Sequence, residues 1–222
     1  MEYTRIQTIR DPLFSSMHQL MQTVFPSEEV LAFDKWEGPI ADPSIHVYVA
    51  VHEGEVVGAT EYRYYPDMKV AMTDFTIIGK PAMGIGRFLL RNRERDLAGL
   101  AESSGTAPLG MFAEIYNPFT VDYHFGGVTP MNPYVRREVL SHIGYKRLDF
   151  PYIHPSWEEN GEGVTGLDLC FLPEDETLSR LPASVVSAFL DRYYASLPDK
   201  PQEWHEMMLG LRQGDTIELL PI

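Results

Sequence analysis

The sequence holds a single cysteine, Cys170, among 222 residues, which excludes an internal disulfide and a zinc cage built on thiolates. Cys170 lies in the apolar run Leu-Asp-Leu-Cys-Phe-Leu at 167–172, the setting of a buried strand residue rather than of a nucleophile. Positive charge is also scarce. Eighteen basic residues stand against thirty-two acidic ones, for a net charge of -14. A chain this acidic is poorly matched to nucleic acid or to an anionic membrane, both polyanions, and neither is expected among its partners. No apolar run approaches the roughly 20 residues that cross a bilayer. Met1-Glu2-Tyr3-Thr4-Arg5 lacks the basic-then-apolar pattern of an export signal, so the expected address is the cytoplasm. The seven histidines are scattered, without an i, i+4 pair or acidic partners at ligand spacing, so no metal site is expected.

What is present is globular: 44% hydrophobic and 12% aromatic residues, enough for one sizeable core. A short strand is expected over 5–9. Asp11-Pro12 then opens a helix, with a carboxylate at the cap and proline in the first turn, and Leu13, Met17, Leu20, Met21 and Val24 share one face of it. Ser27 is placed to cap a second, shorter helix. Three β-rich runs follow at 45–52, 55–65 and 70–78, separated by the tight turn Glu53-Gly54 and by Pro66-Asp67. A glycine-bearing loop at 79–86 leads into a helix at 87–102, then a strand at 109–116. A long connection at 117–133 precedes a helix at 134–142, and strands are expected at 146–153 and 165–172. Two amphipathic helices close the chain. Their Met and aromatic stripe (Val186, Phe189, Leu190, Tyr193, Trp204, Met208) reads as core, with a homodimer interface as the alternative. The order β-α-α-β-β-β-α-β-α-β-β gives an α/β architecture around a mixed sheet.

The chemistry concentrates where the third β-run meets Gly84-Ile85-Gly86-Arg87. A strand, a glycine turn and a helix start leave main-chain N–H groups unpaired beside the positive end of the helix dipole, a natural seat for phosphate oxygens. Arg87, Arg91 and Arg95 follow at i, i+4 and i+8 on one helix face, where like charges repel. They point to an anionic partner, or else to neutralisation by Glu94, Asp96 or Glu102.

The stretch Pro81-Ala82-Met83-Gly84-Ile85-Gly86-Arg87-Phe88-Leu89-Leu90 resembles the Q/R-x-x-G-x-G/A loop of the GNAT acyltransferase superfamily. The helix ending in His142-Ile143-Gly144-Tyr145 resembles that family's closing helix, and the element order agrees over residues 3 to 172. The resemblance implies a GNAT-like mixed, mostly antiparallel central sheet flanked by helices over 1–172, with 173–222 as a helical extension. It also implies acetyl-coenzyme A, or another acyl-coenzyme A, as co-substrate. Met83, Gly84, Ile85, Gly86 and Arg87 would hold the diphosphate, helped by Lys80 or Arg87, and the strand residues Phe75, Thr76 and Ile77 would pair with the pantetheine. The implied activity is acyl transfer, acetyl by expectation, to a primary amine of a small molecule, for which the acidic composition favours a cationic acceptor. The alternative is a non-catalytic acyl-coenzyme A sensor of the same fold. Two positions depart from the family pattern: its Gln/Arg falls on Pro81, and the tyrosine often used as acid falls on Leu140.

Thioester aminolysis needs a base to free the amine. Asp74, on the strand leading to the loop, and Glu114, on the next strand, are the first candidates, because carboxylates in apolar sequence acquire raised pKa values; Glu61 ranks behind them. Tyr123, His124 or Tyr134 in or beside the long connection could replace the missing acid.

Overall fold

The computed structural model describes residues 1–25, 30–120, 132–155, 162–197 and 199–222. The cap expected at Ser27, the acid expected at Tyr123 and the loop residue His124 lie outside the described residues. The chain divides into two compact units, Met1–Pro108 with Tyr123–Arg136, and Leu109–Asp122 with Arg137–Ile222.

In the first unit, β1 (Glu2–Arg5), β2 (Ile45–His52), β3 (Glu55–Tyr65) and β4 (Val70–Ile78) pair antiparallel in that order. The two-residue link between β2 and β3 has positive φ at both Glu53 (51°) and Gly54 (81°), the twist that a tight hairpin demands. α1 (Pro12–Val24) begins as its sequence requires, with Asp11 Oδ1 accepting from the Leu13 N–H at 2.9 Å. Its buried face is Phe14, Met17, His18, Met21 and Val24, turned slightly from the expected one, because Phe14 is drawn against Phe33 and Trp36. Those two aromatics belong to a single 3-10 turn, Phe33–Trp36, that runs into α2 (Glu37–Ala41). α3 (Ile85–Ser103) places Ile85, Leu89, Arg93, Leu97 and Ala101 inward, a spacing of four throughout.

The remaining elements are β5 (Gly110–Tyr116), α4 (Pro133–Ile143), β6 (Lys146–Leu148), β7 (Leu167–Pro173), β8 (Arg180–Pro182), α5 (Ala183–Tyr193), α6 (Gln202–Gln213) and β9 (Thr216–Pro221). The strands of the second unit run β5-β7-β6-β9-β8, antiparallel throughout. The strand expected over 146–153 stops at Leu148, ahead of Pro151, which has no N–H for a ladder. The last fifty residues contribute two strands besides the expected helices, and β9 pairs with β6. The α5 and α6 stripe (Val186, Phe189, Leu190, Tyr193, Trp204, Met208) is buried, with Phe189 stacked on Phe112 of β5 at 4.1 Å. Those side chains are spent on the chain's own core. Cys170 is buried and free, its thiol pKa pushed up by burial. An α/β fold whose sheet is mostly antiparallel and flanked by helices is what the sequence predicts and what the elements form. Among the described residues no helix is long and apolar enough to cross a membrane.

Candidate active site

β4 hands over to α3 through a strained turn. Ala82 has φ 61° and Gly84 φ 69°, a left-handed conformation that glycine adopts without cost and alanine does not. The first intrahelical bond is Phe88 N–H to Gly84 O at 3.0 Å, so the amides of Ile85, Gly86 and Arg87 precede any acceptor in the helix. The first turn is pinned from below: Ile85 and Leu89 pack with Ala50 and Val57. A Cβ on Gly58 of β3 would stand 2.5 Å from Ile85 Cγ2 and 2.8 Å from the Ile77 carbonyl oxygen, so only glycine permits this approach. Lys80, one of two expected sources of charge, is instead ion-paired with Glu55, whose carboxyl pKa it lowers. Arg87 remains.

Arg87, Arg91 and Arg95 are exposed along α3 and, with Gly84, Phe88 and Asn92, line a cleft of about 310 Å³. The alternative of neutralisation by neighbouring acids is not met: among the described residues no carboxylate lies within ion-pair distance of these three. Asp96 is turned the other way, accepting from the Tyr62 hydroxyl at 2.5 Å and the Tyr48 hydroxyl at 3.2 Å.

The inner face of α3 holds a residue that the sequence reading missed. Arg93 is 4% exposed, and its Nη1 donates to the hydroxyls of Thr60 (3.2 Å), Thr73 (2.9 Å) and Thr76 (2.9 Å). Its place between Leu89 and Leu97 in the every-fourth pattern was the available signal. Of the strand residues expected along the pantetheine, Thr76 takes this bond, Phe75 meets Trp36 edge-on and Ile77 is fully buried.

Asp74 and Glu61 are brought together by an irregularity in the ladder. Glu61 pairs with Phe75, but Tyr62 pairs with Thr73, so Asp74 is the extra residue of a bulge, a device that re-aims a side chain. Arg63 bridges the two acids, its Nε donating to Asp74 Oδ2 at 3.2 Å and its Nη2 lying 3.4 Å from Glu61 Oε1. Glu61 is 4% exposed. Its carboxyl is pushed well above the usual value, first by burial and then by the neighbouring Asp74 charge, against a smaller opposing pull from Arg63. The lower-ranked acid is thus the most perturbed carboxyl of this site.

Glu114 of β5 belongs to a different network, within the second unit. The hydroxyls of Tyr152 and Tyr194 both donate to its Oε1 and lie 2.9 Å from each other. His154 Nε2 stands 3.7 Å from Oε2. Burial, and then the Glu114 charge, push both phenols up. Nothing in the sequence spacing announced those partners.

No family model matches the sequence, and no curated protein does. Solved structures do. A Bacteroides thetaiotaomicron protein assigned to the GNAT family of acetyltransferases superposes with a TM-score of 0.56 at 14% identity, over 89% of this chain and 97% of the other. An aminoglycoside 6'-acetyltransferase type Ii superposes at 0.52 and 17% identity, over 77% of this chain and 95% of its own. The ribosomal-protein-S18-alanine N-acetyltransferase from Escherichia coli does so at 0.52 and 10%, over 78% and 94%. The chain has the GNAT fold.

Within the GNAT fold, the β4–loop–α3 passage is the segment on which the sequence resemblance was drawn. Pro81 is exposed there and has no N–H to offer; the amides from Met83 to Arg87 and the Arg87 guanidinium are the donors along the rest of the loop. Leu140 lies on α4 and offers no proton; the following Gly144 N–H closes the helix on Leu140 O at 3.2 Å.

Proposed function

We propose that this chain is an acyl-coenzyme A-dependent N-acyltransferase, with acetyl-coenzyme A as the expected donor and a primary amine of a small molecule as the acceptor. The observation that carries the reading is the start of α3: amides at Ile85, Gly86 and Arg87 with no intrahelical acceptor, a left-handed Gly84, and an Arg87 without an ion-pair partner among the described residues, on the GNAT fold. In this reading Met83 to Arg87 hold the diphosphate and the β4 residues Phe75 to Ile77 accompany the pantetheine. The catalytic body spans 1–172, with 173–222 as its extension.

The reaction needs a neutral amine, because an ammonium has no lone pair. Asp74, re-aimed by its bulge, is the outer carboxylate that receives the proton. Glu61 behind it, its carboxyl pushed up by burial and then by the Asp74 charge, favours one negative charge on the pair over two. The amine nitrogen attacks the thioester carbonyl carbon and the carbon–sulfur bond breaks; the proton the nitrogen sheds on becoming an amide is the one the departing thiolate takes up, directly or through water. Coenzyme A thiol is acidic enough for this to need no dedicated acid, which suits a leucine at 140. Glu114 is the second carboxylate of the reading; it holds Tyr152 and Tyr194 in place as protonated donors. A cationic acceptor is supported by the net charge of -14 and by the paired acids.

The test is release of free thiol from acetyl-coenzyme A against a panel of polyamines, amino sugars and lysine-like amines. Amine-dependent release is expected, and Asp74→Asn should lower kcat by about 10²-fold or more, the usual contribution of a positioned base. Turnover of neutral or anionic acceptors alone would remove the cationic assignment. The second reading, a non-catalytic acyl-coenzyme A sensor, is favoured by Leu140. Calorimetric binding of acetyl-coenzyme A with no thiol release from any amine would establish it instead.

A further inference from the structure

The outer face of α3 extends past the diphosphate loop, and its charge has no use there. Arg91 and Arg95 lie one and two steps of four residues beyond Arg87, about 6 Å of helix rise per step. Like charges at this spacing disfavour the helix. In a chain with 18 basic and 32 acidic residues, three guanidiniums in a row with no carboxylate at ion-pair distance among the described residues are costly to keep without a ligand. Of the neighbouring acids, Asp96 is committed to Tyr48 and Tyr62, and Glu94 forms no ion pair with the row among the described residues. The row forms one side of the 310 Å³ cleft, whose other contributors supply what a nucleotide needs. Phe88 gives a half-buried aromatic surface, held edge-on by Tyr3. Asn92, whose amide N–H donates to Phe88 O at 2.8 Å, keeps its carbonyl oxygen as an acceptor.

The carrier's ribose bears its diphosphate at C5′ and a phosphomonoester at C3′. A diphosphate on the amides of Ile85 to Arg87 would leave that second phosphate, one sugar ring away, at the end of α3 where the arginine row begins. We propose that Arg91 and Arg95 form a subsite for this 3′-phosphate, so that the protein selects the 3′-phosphorylated carrier over its dephospho form. The inference rests on the acyl-coenzyme A reading of the loop and adds a specificity determinant to it. A phosphomonoester is the matching chemistry because its several oxygens accept forked guanidinium bonds. A local cationic row is also what lets a chain of this net charge hold a multiply charged anion.

Calorimetry with coenzyme A and with dephospho-coenzyme A tests it, on the wild type and on the Arg91→Gln, Arg95→Gln double variant. Both positions are exposed, and a thermal melt of the variant confirms that it is folded. The wild type should bind coenzyme A at least roughly tenfold more tightly, as expected for charge-assisted bonds to one phosphate, and added salt should narrow the gap. The double variant should bind both ligands as the wild type binds dephospho-coenzyme A, and lysines at both positions should restore part of the preference. Equal wild-type affinities, or a preference that survives in the glutamine variant, would overturn the subsite while leaving the carrier assignment standing. If neither ligand binds the wild type, the loop assignment fails and the subsite with it.

Discussion

A carboxyl group that is 4% exposed and faces a second carboxyl ionises at a cost to the fold. Glu61 therefore contributes stability that is fully present below its ordinary value near 4.5 and lost as the pH rises through its elevated folded value. Glu61→Gln keeps the shape, removes the ionisation and should raise Tm at pH 8–9 while leaving it nearly unchanged at pH 4. In the proposed enzyme the same substitution should lower kcat more than it changes KM for the amine, a trade between stability and activity expected of a strained site. Calorimetric melts beside steady-state kinetics would show both, and an unchanged alkaline Tm would contradict the burial argument. Gly84 offers a second test at this scale. A Cβ there would meet nothing within 4 Å, so Gly84→Ala isolates the φ of 69°. It should destabilise by about 1–2 kcal/mol, the strain of a left-handed alanine, and should weaken acyl-coenzyme A binding because the amides that follow move with it.

For the element, the decisive contact is α3 on the sheet beneath it. Gly58→Ala would press a methyl group against Ile85 Cγ2 and the backbone oxygen of Ile77. The side chain can rotate but the carbonyl cannot, so overpacking should cost about 1–3 kcal/mol and lift the first turn of α3. Chemical denaturation and a binding titration should report the two effects together, and a variant as stable as the wild type would show that α3 does not sit so closely. The elements legible in the sequence are those whose signals are local. Glu53-Gly54 sets its hairpin through positive φ at two adjacent residues, Asp11-Pro12 starts α1, and the every-fourth row from Ile85 to Ala101 sets the inner face of α3. The loop and its exposed arginines were legible for the same reason. What escaped depends on distant partners. β9 exists because β6 pairs with it, and β6 ends early because proline interrupts the donors. Tyr152 and Tyr194 reach Glu114 across 38 and 80 positions of sequence, and Asp74 meets Glu61 only through a bulge defined by pairing register. The exchange of Lys80 from phosphate donor to partner of Glu55 was hidden in the same way.

For the whole molecule, these individual shifts combine into one dependence of stability on pH. His46 opposes Glu61. Its Nδ1 lies 3.4 Å from Asp96 Oδ2, yet burial, and after it the charge of Arg5, hold the imidazole below its ordinary value of 6.5, with Asp96 recovering only part. The contact is therefore made by a neutral ring at neutral pH. The unfolded chain protonates this histidine first, so the stability it contributes is present above the ordinary value and is lost as the pH falls towards the lowered one. Glu61 removes stability on the opposite side, as the pH rises through its elevated value. Both groups belong to the first compact unit, so a single melting transition should register both. Below pH 6.5 the two slopes oppose each other, the histidine adding stability as the pH rises and Glu61 removing it; above pH 6.5 the histidine adds nothing more, and any further fall in Tm with pH is that of Glu61. His46→Asn should leave the Glu61 fall unopposed below pH 6.5, and Glu61→Gln should remove the fall in Tm above pH 4.5 and leave the rise towards pH 6.5 that His46 supplies. Asp42, held low by its bonds from Ser44, adds its own loss only at more acidic pH, outside the histidine interval. If both single variants changed the slope of Tm against pH in the same sense, or neither changed it, the opposed burial of an acid and a base in one sheet would not be the source of the curve.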